Sequence, residues 1–301
     1  MKFTLPLVFV SMAGSCLGVV INFDFNLNNN TDDSNVVADT YVGLAAAPDA
    51  AGGSAIWNSI RRNHSEQVAS GSSLNTHIGV TSTPTRDSTG LASSVTVNIQ
   101  GVGIGLINSH IAHQQSIGMQ ELGASGVYNR LMGDFIGIDS DTGNGTVGTA
   151  YGTIAGLAAN AYYDIYFYGQ GSDYTVPGPS NGASGQNSLF GITNGLGGAV
   201  SGSTQQTGWD GVNGGNGVLT EGVEYVRFSV KANSSGLIHF LWQNVVTGPG
   251  GNVATDSAPN GRNDGSRIGA LNAIQIVSVP EPSTVLLGGL GMLGLLARRR
   301  R

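Results

Sequence analysis

Aromatic and acidic side chains alternate along residues 162–168 (YYDIYFY), and their types are suited to binding a sugar. Successive side chains of a strand point to opposite faces, so one face carries Tyr162, Asp164, Tyr166 and Tyr168. Sugar rings stack on such aromatic rings, while carboxylates accept hydrogen bonds from sugar hydroxyls. These four residues, together with Trp209 in a glycine-rich segment, predict a glycan-binding site. The alternative is that the tyrosines only cover the sheet, since aromatic residues are common in strands.

Oxygen-bearing side chains also cluster in a turn at residues 139–145 (DSDTGNG). Asp139, Asp141 and Asn144 are hard ligands of the kind that calcium prefers, and they predict a calcium site. The turn is not an EF-hand, because Ala150 stands where the bidentate glutamate belongs. A plain turn is the alternative, since Asp and Asn before Gly are also favoured in turns. No other cofactor is predicted.

The sequence offers little for catalysis, and no catalytic residue is assigned. The glutamates in the middle of the chain stand in no recognisable glycosidase setting; they are Glu66, Glu121, Glu221 and Glu224. His110 and His113 lie three residues apart but lack a nearby Cys or Asp to complete a zinc site. The sequence therefore favours a protein that is not an enzyme, although catalytic groups can also assemble from distant parts of a chain.

The segments that must position these residues have the patterns of short strands bounded by turn residues. The predicted strands are residues 19–25, 94–99, 152–157, 162–168, 188–192, 225–230, 237–242 and 273–277. Residues 169–186 and 193–216 are predicted to be surface loops, and residues 109–122 are the best helix candidate. This order of elements predicts an all-β fold.

Alternation within the strands predicts a sheet with one buried side. The predicted core consists of Val95, Val97, Ile99, Ile165, Phe167, Val226, Phe228, Ile238, Phe240, Trp242, Ile274 and Ile276. A single β-sandwich over residues 19–278 accommodates all of these strands, since about 260 residues suffice for one large β domain.

Composition limits the classes of partner. Without Lys2, the four terminal arginines and Glu281, the body keeps 8 basic and 18 acidic residues, a net charge near −10. That balance argues against binding of nucleic acid or of an anionic lipid surface by the body as a whole. Charged residues are only 11% of the chain, and glycine contributes 48 of 301 residues, a composition typical of exported β-proteins with long polar turns.

The N-terminus has the layout of a secretory signal peptide. Lys2 precedes an apolar stretch (residues 3–10, FTLPLVFV), and residues 11–18 (SMAGSCLG) are rich in small side chains. Cleavage is predicted before Cys16 or after Gly18, so the signal occupies residues 1–18. Cys16 is the only cysteine of the chain, and a lipoprotein is the minor alternative, because Ala13 stands where a lipobox usually has leucine.

The C-terminus, residues 279–301, combines three parts in a fixed order. Pro280-Glu281-Pro282 precede an uncharged run at residues 284–297 (TVLLGGLGMLGLLA), and the chain ends in Arg298, Arg299, Arg300 and Arg301. Fourteen helical residues span about 21 Å, less than the roughly 30 Å hydrocarbon core, which suits a short transmembrane stop. The arginines hold the far end on the cytoplasmic side, and the prolines keep the upstream segment extended.

This three-part ending resembles the PEP-CTERM sorting signal of exported bacterial proteins. The resemblance implies a pause in the inner membrane through the C-terminal helix, cleavage near Pro280-Glu281-Pro282 by an exosortase-like enzyme, and delivery to the cell surface or an extracellular polysaccharide matrix. The resemblance concerns the destination of the protein and leaves the role of the body open.

The second half of the body resembles galactose-binding-like jelly rolls. The similarity rests on the paired-strand segments at residues 162–169 and 225–242 and on residues 271–276 (LNAIQI), where Ala273 replaces the usual glycine. It implies a jelly-roll-like β-sandwich, a fold that often carries carbohydrate-binding modules, although fold alone does not fix function. The sequence thus predicts a non-catalytic exported protein that binds glycans; the alternatives are a structural matrix component without a ligand and a hydrolase acting on polysaccharide.

Overall fold

The computed structural model describes residues 18–26, 41–61, 77–79, 85–102, 106–107, 129–132, 136–138, 147–169, 187–208, 218–245 and 269–280. These residues are almost entirely β-structure, apart from one helical turn (α1, Asn129–Met132) and one 3₁₀ turn (Gly52–Ser54). The strands are β1 (Val20–Asn26), β2 (Asn58–Arg61), β3 (His77–Gly79), β4 (Thr85–Arg86), β5 (Ala92–Ser93), β6 (Thr96–Val102), β7 (Leu106–Ile107), β8 (Ile136–Ile138), β9 (Thr149–Ala155), β10 (Tyr162–Tyr168), β11 (Ser188–Thr193), β12 (Gln205–Gln206), β13 (Tyr225–Lys231), β14 (Ile238–Asn244), β15 (Gly269–Leu271) and β16 (Ala273–Val279).

All eight predicted strands are present, each within three residues of its predicted ends. The shorter strands were not predicted, and β12 lies inside the segment predicted to be a loop at residues 193–216. The predicted signal helix, the helix at residues 109–122 and the C-terminal transmembrane helix lie outside the described residues. In the part of the chain that is described, no helix has the length and apolar character needed to cross a membrane.

Two large sheets form the body. One has five strands in the order β13-β10-β16-β1-β2, and the other has six in the order β12-β11-β14-β9-β6-β3. Strand pairs within them are antiparallel except β1 and β2, which run parallel. β16 is the middle strand of the five-stranded sheet, between β10 and β1.

The two sheets share one hydrophobic core, so the predicted β-sandwich is confirmed, and all twelve predicted core residues belong to that core. Phe167 of β10 joins the sheets: its ring centroid lies 4.9 Å from that of Phe190 in a stacked arrangement and 4.8 Å from that of Phe240. Trp242 is fully buried, and its Nε1–H donates to Ser188 Oγ at 3.0 Å. The indole N–H of Trp242 therefore has a partner, as an apolar environment requires.

A second apolar cluster lies on the outer face of the five-stranded sheet. Its buried members are Tyr41, Ala47, Trp57, Leu131, Met132, Tyr166, Tyr168 and Ala273. Residues 41–57, called here the cover segment, supply three of them. The Trp57 ring meets the Tyr168 ring edge-on, with centroids 6.0 Å apart, so the cover segment packs against the end of β10.

Hydrogen bonds hold the cover segment on the sheet. The Tyr168 hydroxyl donates to Gln275 Oε1 at 2.9 Å and accepts from the backbone N–H of Ala46 at 2.8 Å. The N–H of Ala47 also donates to Gln275 Oε1, at 3.1 Å. Because Tyr168 and Gln275 are fully buried, water cannot replace these bonds cheaply.

The change Tyr168→Phe is expected to lower the free energy of unfolding by about 1–3 kcal/mol, because it removes a buried hydroxyl that hydrogen-bonds both the buried Gln275 and the partly buried N–H of Ala46. Denaturant titration of the body measures it. The control is Tyr163→Phe on the same strand. The Tyr163 hydroxyl accepts a hydrogen bond from the N–H of Ala158, and because Ala158 is exposed, this N–H can donate to water instead. Equal losses for both variants would contradict the role assigned to the Tyr168 hydroxyl.

The two ends of the body meet at one end of the sandwich. Val20 pairs with Val277, and the N–H of Ser278 donates to the carbonyl of Val19 at 2.9 Å. Gly18 lies so close that an added Cβ would be 1.8 Å from the Ser278 carbonyl oxygen. The segments that precede β1 and follow β16 therefore leave the body side by side.

Candidate functional site

The outer face of β10 carries the residues that the sequence singled out. Tyr163, Ile165 and Phe167 belong to the core between the sheets, whereas Tyr166 and Tyr168 belong to the outer cluster. The predicted division of the strand into two faces is therefore confirmed. Tyr162 and Asp164 lie on the outer face by the same alternation.

The outer row is not a continuous open platform. The exposed fraction falls from 49% at Tyr162 to 7% at Tyr166 and 0% at Tyr168. The cover segment causes this gradient, because Trp57 and Tyr41 pack over the Tyr168 end of the strand and leave the Tyr162 end open. The rings of Tyr166 and Tyr168 thus offer little or no surface to a ligand in this structure, and the glycan contacts predicted for them stay untested.

The neighbouring strand β13 adds charged and polar groups that sequence reasoning did not assign to the site. Register places Lys231 beside Tyr162, Ser229 beside Asp164 and Arg227 beside Tyr166. We call Tyr162, Asp164, Arg227, Ser229 and Lys231 the open face. Strand alternation already placed Arg227 and Ser229 on the polar side of β13, but only the pairing of β13 with β10 brings them to this row.

Asp164 is held by both β13 neighbours. Arg227 Nη2 donates to Asp164 Oδ2 at 2.7 Å, and Ser229 Oγ donates to Asp164 Oδ1. The hydrogen bond with Asp164 raises the pKa of Arg227 above its ordinary value. Both carboxylate oxygens are engaged and the Asp164 side chain is only 14% exposed, so the accessible part of this fixed ion pair is the Arg227 guanidinium, whose side chain is 43% exposed.

Two cationic side chains lie over tyrosine rings. One ring belongs to the open face, and the other, that of Tyr166, lies next to it. Lys231 Nζ is 5.6 Å from the centroid of the Tyr162 ring, and Arg227 Cζ is 5.7 Å from that of the Tyr166 ring. Burial raises the pKa of the Tyr166 hydroxyl, which therefore stays protonated at neutral pH. The arrangement suits hydrogen bonding and stacking at neutral pH; proton transfer would need a group with a pKa near 7.

Several predicted site residues lie outside the described part of the chain. They are Trp209, Asp139, Asp141, Asn144, Glu281, Pro282, Arg298, Arg299, Arg300 and Arg301. Among the described residues, no group of His, Cys, Asp and Glu side chains could hold a metal ion, and the calcium site stays a prediction for the undescribed turn. A Gly-x-Ser-x-Gly pattern at residues 178–182 also lies outside them; this spacing forms a nucleophile elbow only where a strand runs into a helix.

The other residues singled out from the sequence that the structure describes lie outside the open face. Pro280 is exposed and follows β16 directly. Glu221 is exposed and lies in the turn that precedes β13. Glu224 is buried, and its Oε2 accepts a hydrogen bond from the N–H of Thr220 at 2.7 Å. The latter contact is that of a carboxylate stabilising a turn.

Comparison with known proteins identifies the C-terminus. Residues 278–301 match the model of the PEP-CTERM protein-sorting motif. The chain carries this sorting motif, which confirms the resemblance drawn from the sequence. The motif marks an exported protein that is sorted through the membrane to the cell surface, and it is recognised by an exosortase.

The body has weaker similarities. No curated protein matches the chain. Among solved structures, that of TmCBM61 in complex with beta-1,4-galactotriose is similar at 9% identity and a TM-score of 0.26, over 61% of this chain and 88% of that one. The enzymatically active domain of Bacteriophage CBA120 tailspike protein 4 is similar at 7% identity and a TM-score of 0.24, over 62% of this chain and 18% of that one. At these scores neither structure bears on the ligand of this chain.

Proposed function

We propose that this chain is a non-catalytic glycan-binding protein of the cell surface or extracellular matrix, delivered there by its C-terminal sorting motif. One observation carries the binding role: the exposed Tyr162 ring lies beside a fixed Asp164–Arg227 ion pair on an open sheet face. A sugar stacked on the ring would place its hydroxyls near the exposed guanidinium of Arg227, whose position the bond to Asp164 fixes.

The charges of the open face narrow the ligand class. The body as a whole is acidic, yet this face gathers Arg227 and Lys231 around a single carboxylate. Guanidinium groups form paired hydrogen bonds with carboxylates, and their N–H groups also donate to single hydroxyl oxygens. A polysaccharide rich in hydroxyls, with or without uronate groups, fits this surface better than a basic or strongly apolar ligand.

The strand connections support the jelly-roll form of the sandwich. From β9 onward the long strands alternate between the two large sheets: β9, β11 and β14 lie in one, and β10, β13 and β16 in the other. Alternation of this kind is how double-sheet jelly rolls join their Greek keys. We assign residues 19–278 to this domain, between a signal peptide at residues 1–18 and the sorting signal at residues 279–301.

Export and processing form the second part of the proposal. The signal peptide directs the chain out of the cytoplasm, and the apolar run at residues 284–297 stops in the inner membrane with the arginines on the cytoplasmic side. The exosortase then cuts the extended segment near Pro280-Glu281-Pro282, which follows β16 at once. The body is released from the membrane by this cut.

The change Tyr162→Ala is expected to weaken glycan binding by about 1–2 kcal/mol, a factor of roughly 5–30, because it removes the exposed ring. Affinity electrophoresis of the released body in gels that contain the producing organism's polysaccharide measures it. Tyr151→Ala is the control: Tyr151 is half-buried on the outer face of the other sheet. Its mobility shift should equal that of the unchanged protein.

Three outcomes separate the alternatives. Absence of retardation by any extracted polysaccharide would leave a structural matrix component. Retardation that is equal in both tyrosine variants would place the binding site elsewhere on the body. Release of reducing ends that disappears when one of the mid-chain glutamates is changed to Gln would indicate a hydrolase; they are Glu66, Glu121, Glu221 and Glu224.

A further inference from the structure

The end of the sandwich at which the two ends of the body meet carries an exposed apolar patch. Val19 is 56% exposed and Val279 is 39% exposed, and Tyr162 pairs with Val279 across the sheet. On its other side Tyr162 pairs with Lys231, whose Nζ lies over the ring. We call Val19, Tyr162, Lys231 and Val279 the exit pole.

The exit pole is firmly built. Its two turns, between β9 and β10 and between β13 and β14, are tied by the hydrogen bond from the N–H of Asn160 to the carbonyl of Asn233 at 3.2 Å. The N–H of Ala232 donates to the carbonyl of Ala161 at 2.9 Å. Gly236 adopts φ +70° and approaches Leu157 so closely that an added Cβ would lie 2.2 Å from its carbonyl oxygen. The patch therefore belongs to a rigid end of the sandwich.

The chain beyond the exit pole determines what can cover it. Four residues, 280–283, separate Val279 from the uncharged run that starts at Thr284. At about 3.6 Å per fully extended residue, Val279 lies at most about 18 Å from the start of that run. The headgroup layer adds roughly 5–8 Å outside the hydrocarbon core. While the run spans the membrane, Val279 is thus confined to within about 10–13 Å of the outer surface of the headgroup layer, and the exit pole is the part of the body nearest to it.

The composition of the exit pole matches a headgroup layer. Tyr side chains favour this layer because the ring is apolar and the hydroxyl is polar, and Lys reaches anionic headgroups with its ammonium group. Two exposed valines add apolar surface next to them. A net negative body would otherwise be repelled by an anionic leaflet, so Lys231 stands where it counters that repulsion.

We propose that the exit pole docks on the lipid headgroups of the membrane in which the sorting tail is inserted, so that the body is held in one orientation before the tail is cut. This inference rests on the proposed membrane intermediate. Docking places residues 280–283 in the narrow space between the body and the bilayer, where a membrane-embedded enzyme can reach them. It also covers Tyr162 until the body is released.

The test uses the exported chain with its tail uncut, produced without an exosortase and placed in vesicles of phosphatidylethanolamine and phosphatidylglycerol. In a Cys16→Ser background, spin labels are attached at Ser234→Cys beside the exit pole, at Val147→Cys at the start of β9, and at Leu287→Cys in the tail. Val147 is exposed and lies at the opposite end of the sandwich, because β9 runs from there toward the exit pole.

The label at position 234 is expected within the headgroup layer, and the label at position 147 about 20 Å farther out, the length of a seven-residue strand. Lys231→Glu should shift the balance from docked to undocked body by at least about fivefold, because it removes one lysine near an anionic surface and adds a negative charge there. Equal depths of the labels at 234 and 147, or no response to Lys231→Glu, would overturn docking. If the label at 287 is buried in the bilayer in that case, the proposed membrane intermediate still stands. A label at 287 that stays in water would instead overturn the intermediate itself.

Discussion

Replacing Pro280, Glu281 and Pro282 together by alanine is expected to leave the chain in the membrane fraction with all four C-terminal arginines. Because proline disfavours helix, the two prolines are expected to keep this segment extended, and alanine would let a helix over the proposed membrane-spanning run extend upstream toward β16. The processed fraction should then fall from nearly all of the protein to nearly none. Fractionation of cells and mass spectrometry of the intact protein measure both properties.

The control for this experiment is Ser283→Ala, a change beside the motif that preserves both prolines and the acid. Its processing should match that of the unchanged chain. Recovery of the triple variant from the surface without its arginines would contradict the prediction. Recovery of the unsubstituted protein from the cell surface with Arg301 still present would also contradict it.

The change Phe167→Ala is expected to lower the free energy of unfolding by about 3–5 kcal/mol, the usual cost of removing a buried aromatic side chain. Phe167 is fully buried and contacts rings of both sheets, including Phe228 at a centroid distance of 5.9 Å. Its loss would leave a cavity at the place where the two sheets are joined. Denaturant unfolding of the body, followed by tryptophan fluorescence, gives the difference.

Tyr162→Ala on the same strand is the matched control, since Tyr162 is exposed and its contact with Lys231 is worth about 0.5–1 kcal/mol. Losses of similar size for Phe167→Ala and Tyr162→Ala would show that the core between the sheets is not organised around Phe167.

The inner faces of the sandwich were predictable because strand alternation is a local property. Val95, Val97 and Ile99 alternate with polar residues, and burying one face of such a strand leaves a single arrangement. The same reasoning identified Trp242 as a core residue from its phase with Phe240. Local patterns therefore sufficed for the long strands and their buried side chains.

The outer face was not predictable, because it depends on contacts between distant parts of the chain. Burial of Tyr168 requires the cover segment, whose Tyr41 and Trp57 have no periodic relation to a strand. The ion pair of Asp164 with Arg227 joins residues 63 positions apart and follows from the register of β10 and β13. Strand alternation predicted which face of the sheet each residue lies on. The residues that neighbour it on that face depend on the strand register.

The central place of β16 has a consequence for the order in which the exported chain can fold. Secretion delivers the N-terminus first, so β1, β2, β10 and β13 all emerge before β16 does. Until β16 arrives, the five-stranded sheet exists only as two halves, each with an unpaired edge on β1 or β10. Pairing of β1 with β16 also joins opposite ends of the domain, a contact of high sequence separation that forms slowly. In the proposed membrane intermediate, the apolar run that follows β16 by a few residues would hold the last strand near the incomplete sheet while the sheet closes. A chain truncated before β16 would therefore aggregate through its two open edges.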